Sequence, residues 1–144
     1  MRIHLKAGDK LFINGAVLSV DQKTSINVLN DVRFLLGSHV LQPDKTDTPL
    51  KQLYFVIQSA LIEPSSESLS LEHYLRLISR IRKAVSNQDI HSGLDRVETL
   101  VDAKKYFDAL KVLRGLFSVE KAVLEGEDHL VDPLVGNPDQ DKAA

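Results

Sequence analysis

The chain contains five histidines and no cysteine, so the spacing of the histidines decides much of the chemistry open to it. His4, His39, His73, His91 and His129 fall at none of the intervals at which imidazoles and carboxylates close around a metal, and no His-Glu-x-x-His occurs. Without a thiol there is no thiolate zinc site, disulfide or cysteine nucleophile. No Gly-x-Ser-x-Gly elbow presents a serine, and none of the seven glycines forms a phosphate cradle or a dinucleotide fingerprint. The sequence therefore assigns no catalytic residue, metal or cofactor, and the expectation is a protein that is not an enzyme. What remains is fixed positive charge, which meets phosphates one neutralised group at a time and makes the affinity salt-dependent.

Two sets of cations are spaced so as to share a surface. Arg2, His4 and Lys6 alternate with Ile3 and Leu5, the period at which side chains fall on one face of a strand, and Lys10 follows after a turn. Arg76, Arg80 and Lys83, with His73, recur at intervals of three and four, the period of a helix face. Each set has a plain alternative reading. The first is an ordinary polar sheet face, and the second a solvated helix face partly neutralised by Glu72, four residues before Arg76.

The elements that must carry these residues divide the chain into a β-rich part over residues 1–43 and a helical part over residues 48–124. Ile3 and Leu5 mark a first strand, and Ala7-Gly8-Asp9-Lys10 a turn. Leu11 to Ile13 then leads through Asn14-Gly15 into Ala16 to Val20. Asn-Gly is the dipeptide that best accepts the positive φ angles of a two-residue hairpin. Thr24 to Leu29 alternates as a fourth strand. Val32 to Leu36 reads either as a strand reversed by Gly37-Ser38 into His39 to Leu41 or as part of a helix across 32–41, since short apolar runs do not separate the two. Thr48-Pro49 opens a broadly apolar helix to Ile62. A loop to Ser70 is expected, then helices over Leu71 to Val85, with Ser70 as cap and Leu71 and Leu75 facing inward, over Gln88 to Lys105, and over Tyr106 to Leu124. The fold class is α+β: a small N-terminal antiparallel sheet of hairpins, then a bundle of about four helices covering it.

With 144 residues, 43% apolar and 26% charged, the chain suits a single domain over residues 1–124. The net charge of −2 is unevenly placed: residues 1–62 sum to +2, residues 63–124 to +1 and residues 125–144 to −5. The last stretch, rich in Gly, Pro, Asp and Asn, reads as a disordered acidic tail, which either competes with a polyanion for the basic surfaces or is simply solvated. No signal peptide precedes the first strand, no apolar run approaches the roughly 20 residues of a membrane span, and the lack of cysteine fits a reducing compartment. A soluble, cytoplasmic protein is expected.

Six phrases in order resemble one family: Leu5-Lys6-Ala7-Gly8; Ile13-Asn14-Gly15-Ala16-Val17; Leu29-Asn30-Asp31-Val32 with Phe34-Leu35-Leu36; His39-Val40-Leu41-Gln42-Pro43; Thr48-Pro49-Leu50 with Gln52-Leu53-Tyr54-Phe55; and Phe107-Asp108-Ala109-Leu110-Lys111. On these residues the chain resembles the flagellum biosynthesis repressor family FlbT of flagellated alphaproteobacteria, over residues 1 to about 124. The resemblance implies a post-transcriptional regulator that associates with the 5′ leader of flagellin messenger RNA and limits its translation and lifetime. Some members act positively, so it leaves the sign of control open. The departures lie in the loops, in the helices from Leu71 to Glu98, at Ser118 where proline is expected, and in the tail.

A shorter likeness, over Leu5 to Val17, is to the opening strands of the carbon storage regulator family, small β proteins that bind messenger leaders and dimerise by strand exchange. It implies that the N-terminal hairpins face RNA, across a homodimer. By charge and spacing, Arg2, His4, Lys6 and Lys10, and separately Arg76, Arg80 and Lys83, are the candidate RNA contacts. The competing reading is an adaptor that binds flagellin or a flagellar chaperone and reaches the message indirectly. It is favoured by the near-neutral body and by the lack of an aromatic run for base stacking.

Overall fold

The computed structural model describes residues 1–126; the disorder expected over 125–144 lies, from 127 on, outside the described residues. Five strands, β1 (Arg2–Leu5), β2 (Lys10–Ile13), β3 (Ala16–Ser19), β4 (Thr24–Asn27) and β5 (Phe34–Leu36), precede four helices, α1 (Pro49–Ile62), α2 (Glu67–Ala84), α3 (Gln88–Asp102) and α4 (Tyr106–Leu124). This is the α+β order read from the sequence, with the strands dividing into two sheets. β1 pairs antiparallel with β4, placing Ile3 opposite Ile26 and His4 opposite Ser25. β2 lies between β3 and β5, antiparallel to both.

Alternation along each strand turns these sheets into layers. Ile3 and Leu5 point from β1 onto Leu11 and Phe34 of the second sheet and form a small core with them. The opposite face of the second sheet carries Phe12 and Leu35, which join the main core under the helices. The order is therefore first sheet, second sheet, bundle. Phe107, at the start of α4, packs against both cores, its ring centroid 5.0 Å from that of Phe34. Fully burying one such side chain contributes about 1.5–3 kcal/mol, so the layers are joined chiefly by apolar contact.

The turns follow from residue chemistry. Asn14 and Gly15 both take positive φ, 50° and 84°, as the hairpin between β2 and β3 requires. Thr48 caps α1, its hydroxyl accepting from the Lys51 N–H at 3.2 Å, with Pro49 in the first turn. Asn87 caps α3 by accepting from the Ile90 N–H at 3.0 Å.

Three boundaries differ from the sequence reading. Gly37-Ser38 does not reverse the chain into another strand. Gly37–His39 is a 3-10 turn, and the Gln58 side chain accepts from the Leu41 N–H at 2.7 Å and donates to the Leu41 carbonyl at 3.0 Å. That side chain supplies the hydrogen bonds a neighbouring strand would have given. The expected loop up to Ser70 is a 3-10 turn at Pro64–Ser66 running directly into α2, which starts at Glu67 and buries Ser70 within it. The inward stripe shifts accordingly: Leu77 joins the core, Leu71 is half-buried and Leu75 is 62% exposed. Finally, α3 stops at Asp102 rather than Lys105, because Lys104 takes φ 58°.

The helices pack as antiparallel neighbours. Along α1 and α4, Glu120 meets Thr48 and Leu50 while Arg114 meets Tyr54, so the start of one lies beside the end of the other. Between α3 and α4, Gly93 admits Leu116: a Cβ on that glycine would sit 2.3 Å from the leucine Cδ1.

A candidate nucleic-acid interface on the outer sheet

The first sheet has its second face to solvent, and three of the predicted cations lie there. Burial of Ile3 and Leu5 forces Arg2 and His4 outward. Each meets the residue opposite it on β4. The Arg2 Nε donates to Asn27 Oδ1 at 3.2 Å, and His4 Nδ1 lies 2.9 Å from Ser25 Oγ. Lys6 follows one step beyond the strand, exposed, its backbone N–H donating to Asp9 Oδ2 at 2.8 Å. The turn carboxylate thus fixes the backbone at Lys6 while the ammonium stays in water.

Lys10 is placed elsewhere. It lies on β2 beside buried Leu11, so alternation puts it on the helix side of the second sheet with Phe12, not on the outer face with Arg2 and His4. The α2 cations form a separate surface. His73, Arg76, Arg80 and Lys83 are exposed, and the first three line, with Ser79, a shallow groove of about 420 Å³. Glu72 forms no ion pair with Arg76 among the described residues, nor do Arg80 and Lys83 have an acidic partner there. The seven predicted residues therefore fall into three places: an outer-sheet trio, a lone Lys10 and a helix stripe.

A larger cleft, about 780 Å³, opens where the sheets meet the bundle, with Asn14, Arg33, Pro64, Lys104, Tyr106 and Asp108 in its wall. Two of its cations, Arg33 and Lys104, are already paired. Arg33 clasps Glu67 through both guanidinium nitrogens, at 2.8 and 3.2 Å, and lies over the Tyr106 ring, 5.2 Å from the centroid. The Tyr106 hydroxyl donates to the same carboxylate at 2.5 Å, and Lys104 Nζ lies 3.6 Å from it. Arg33 and the Tyr106 hydrogen bond hold the Glu67 carboxyl down at about 2. This is a latch tying the strand region to α2 and α4. It was not legible in the sequence, where Glu67 sits in a polar run that reads as a loop.

At the other end of the bundle, Glu120 is 5% exposed and accepts from the Thr48 hydroxyl at 2.6 Å and the Leu50 N–H at 2.8 Å. Burial pushes its pKa up against those hydrogen bonds. A carboxylate at a helix start also faces the positive end of the peptide dipoles. Among the described residues no group of three His, Cys, Asp or Glu side chains is placed to hold a metal ion, and no helix is long and apolar enough to cross a membrane.

The structure is a layered α+β body with cationic surfaces on its outer sheet and on α2. Comparison with known proteins makes this specific. The family model described as "Flagellar protein FlbT" matches residues 1–124, and the chain belongs to the FlbT family. It is 44% identical over 128 residues to the "Probable flagellum biosynthesis repressor protein FlbT" of Agrobacterium fabrum, covering 89% of this chain and 86% of that protein. To the proteins of the same description from Chelativorans sp. and Mesorhizobium japonicum it is 42% and 39% identical, with 85% and 89% of this chain covered and 85% and 87% of those proteins. The relatives are described by a regulatory role and not a catalytic one. No solved structure matches the chain.

Proposed function

We propose that this chain represses flagellum biosynthesis after transcription, in the cytoplasm, by associating with the 5′ leader of flagellin messenger RNA through the outer face of the first sheet. The observation that carries this reading is the grouping of Arg2, His4 and Lys6 on a face that no helix of the described residues covers. Asn27 and Ser25 orient the first two, so part of the ordering of these side chains precedes contact with a ligand. Phosphate neutralisation there accounts for affinity and not for sequence choice.

The test is a titration of purified chain against leader RNA across a salt series. Direct contact gives a steep dependence of affinity on salt, and R2A with K6A weakens binding and lowers the slope by about 1.4, at about 0.7 per phosphate contact on a single strand. Thermal stability stays nearly unchanged, since both side chains are exposed. Unchanged RNA affinity in that variant removes the outer sheet as the contact.

A second reading is favoured by β3. All four of its residues are exposed, it pairs on one side only, and Val17 and Leu18 are 58% and 45% exposed. An uncharged edge without proline invites another strand. In this reading the chain is an adaptor whose edge takes flagellin, a flagellar chaperone or a second copy of itself. RNA retention only when flagellin is added, together with its loss in L18K, favours the adaptor.

A further inference from the structure

We infer that the acidic residues 127–144 of this chain bind in cis along the outer face of α2. That face carries the two chemistries such a segment needs. Arg76, Arg80 and Lys83 lack acidic partners among the described residues. Leu69 is 69% exposed and lies in line with them, since Leu69, His73, Arg76, Arg80 and Lys83 follow one another at steps of four, three, four and three. A bare leucine in line with three unneutralised cations makes a surface for an acidic chain with apolar residues in it.

Residues 127–144 have that composition with the sign reversed. Glu127, Asp128, Asp132, Asp139 and Asp141 stand against one cation, Lys142, and Leu130, Val131, Leu134 and Val135 are interleaved with them. The family match ends at residue 124, so this segment lies outside what defines the family.

The fold puts the segment within reach. α4 ends at Leu124, where Glu120 holds it to the first residues of α1. A short 3-10 turn joins the other end of α1 to the start of α2, which brings the last turn of α2, with Lys83, to the same end of the bundle as Leu124. An extended chain of this length spans about 60 Å, whereas α2 is about 27 Å long and a helix with its side chains about 10–12 Å across. The segment can therefore round the bundle and still cover the stripe. Occupied in this way, the α2 cations are withheld from polyanions, which then meet the first sheet alone.

The absence of cysteine gives a clean test on the full chain. A nitroxide is attached to N137C in isotopically labelled protein, and paramagnetic broadening is read at every backbone amide. The expected result is broadening from Leu69 to Lys83 that is lost in R76E/R80E/K83E and restored when D132K/D139K/D141K is added to that reversed stripe. The substituted α2 residues are exposed, and an unchanged melting temperature verifies that the fold is kept. No α2 broadening, broadening that survives reversal of the stripe, or failure of the charge swap to restore it overturns the inference. So does broadening seen only when spin-labelled unlabelled-isotope chains are mixed with isotope-labelled ones, which would assign the segment to a second copy. No RNA enters the measurement, so its outcome is independent of the leader-binding reading.

Discussion

At Lys104 an L side chain sits at φ 58°, in the left-handed region where glycine is favoured. The hydrogen bonds explain why the chain passes through it. The Lys105 N–H reaches back to the Leu100 carbonyl at 2.8 Å and the Lys104 N–H to Val101 at 2.9 Å, the paired closure of a helix end that requires one left-handed residue. Replacing Lys104 with glycine relieves the strain and removes a 3.6 Å ion pair to Glu67 whose lysine side is exposed. K104G is expected to raise stability by about 1 kcal/mol in denaturant unfolding, while K104A does not. Tyr74 presents the opposite case: its hydroxyl is buried without a hydrogen-bond partner among the described residues, and burial raises its pKa. Y74F deletes an unsatisfied polar group and keeps the ring, so a gain of about 1 kcal/mol is expected. A loss in the same measurement would mean that the hydroxyl has a partner.

Between elements, two carboxylates act on stability with opposite dependence on pH. Glu67 is held at about 2 against an ordinary 4.5, so its contribution is present above 4.5 and is lost as pH falls through 2. The difference in melting temperature between the native chain and E67Q should narrow across that window. An unchanged difference would show that the latch joining Arg33, just before β5, to α2 and α4 does not depend on ionisation. Glu120 has a raised pKa because burial outweighs its hydrogen bonds. Its unfolded form therefore ionises first, and stability falls as pH rises from the ordinary value towards the folded one. The melting temperature of E120Q should gain on the native chain as pH rises above 4.5. E120A, by contrast, leaves the buried Leu50 N–H without its acceptor and should cost about 1–3 kcal/mol.

For the whole molecule, the layer order sets which charges act together. Lys10, near Arg2 in sequence, is separated from it by the second sheet's own thickness, so R2A/K6A and K10A should behave differently in the same salt titration. The pair lowers the slope, and K10A leaves it within error. Equal effects would mean that the ligand wraps from one layer to the next.

Much of this architecture was legible in the chain. The Asn14-Gly15 turn, the Thr48-Pro49 helix start and the apolar spacings of α1, α3 and α4 are local, since each is fixed by residues a few positions apart. The outward direction of Arg2, His4 and Lys6 followed from simple alternation. What local pattern did not reveal depends on partners far away in sequence. Gln58, 17 residues on, replaces a strand at Leu41. Glu67 turns an apparent loop into the first turn of α2 because Arg33 and Tyr106, 34 and 39 residues away, take up its charge. The split of the strands into two layers, and with it the separation of Lys10 from the outer trio, was likewise decided only by the tertiary structure. Periodicity fixes which side of an element is apolar; which other element covers that side, and so which charged faces remain in water, is settled by packing.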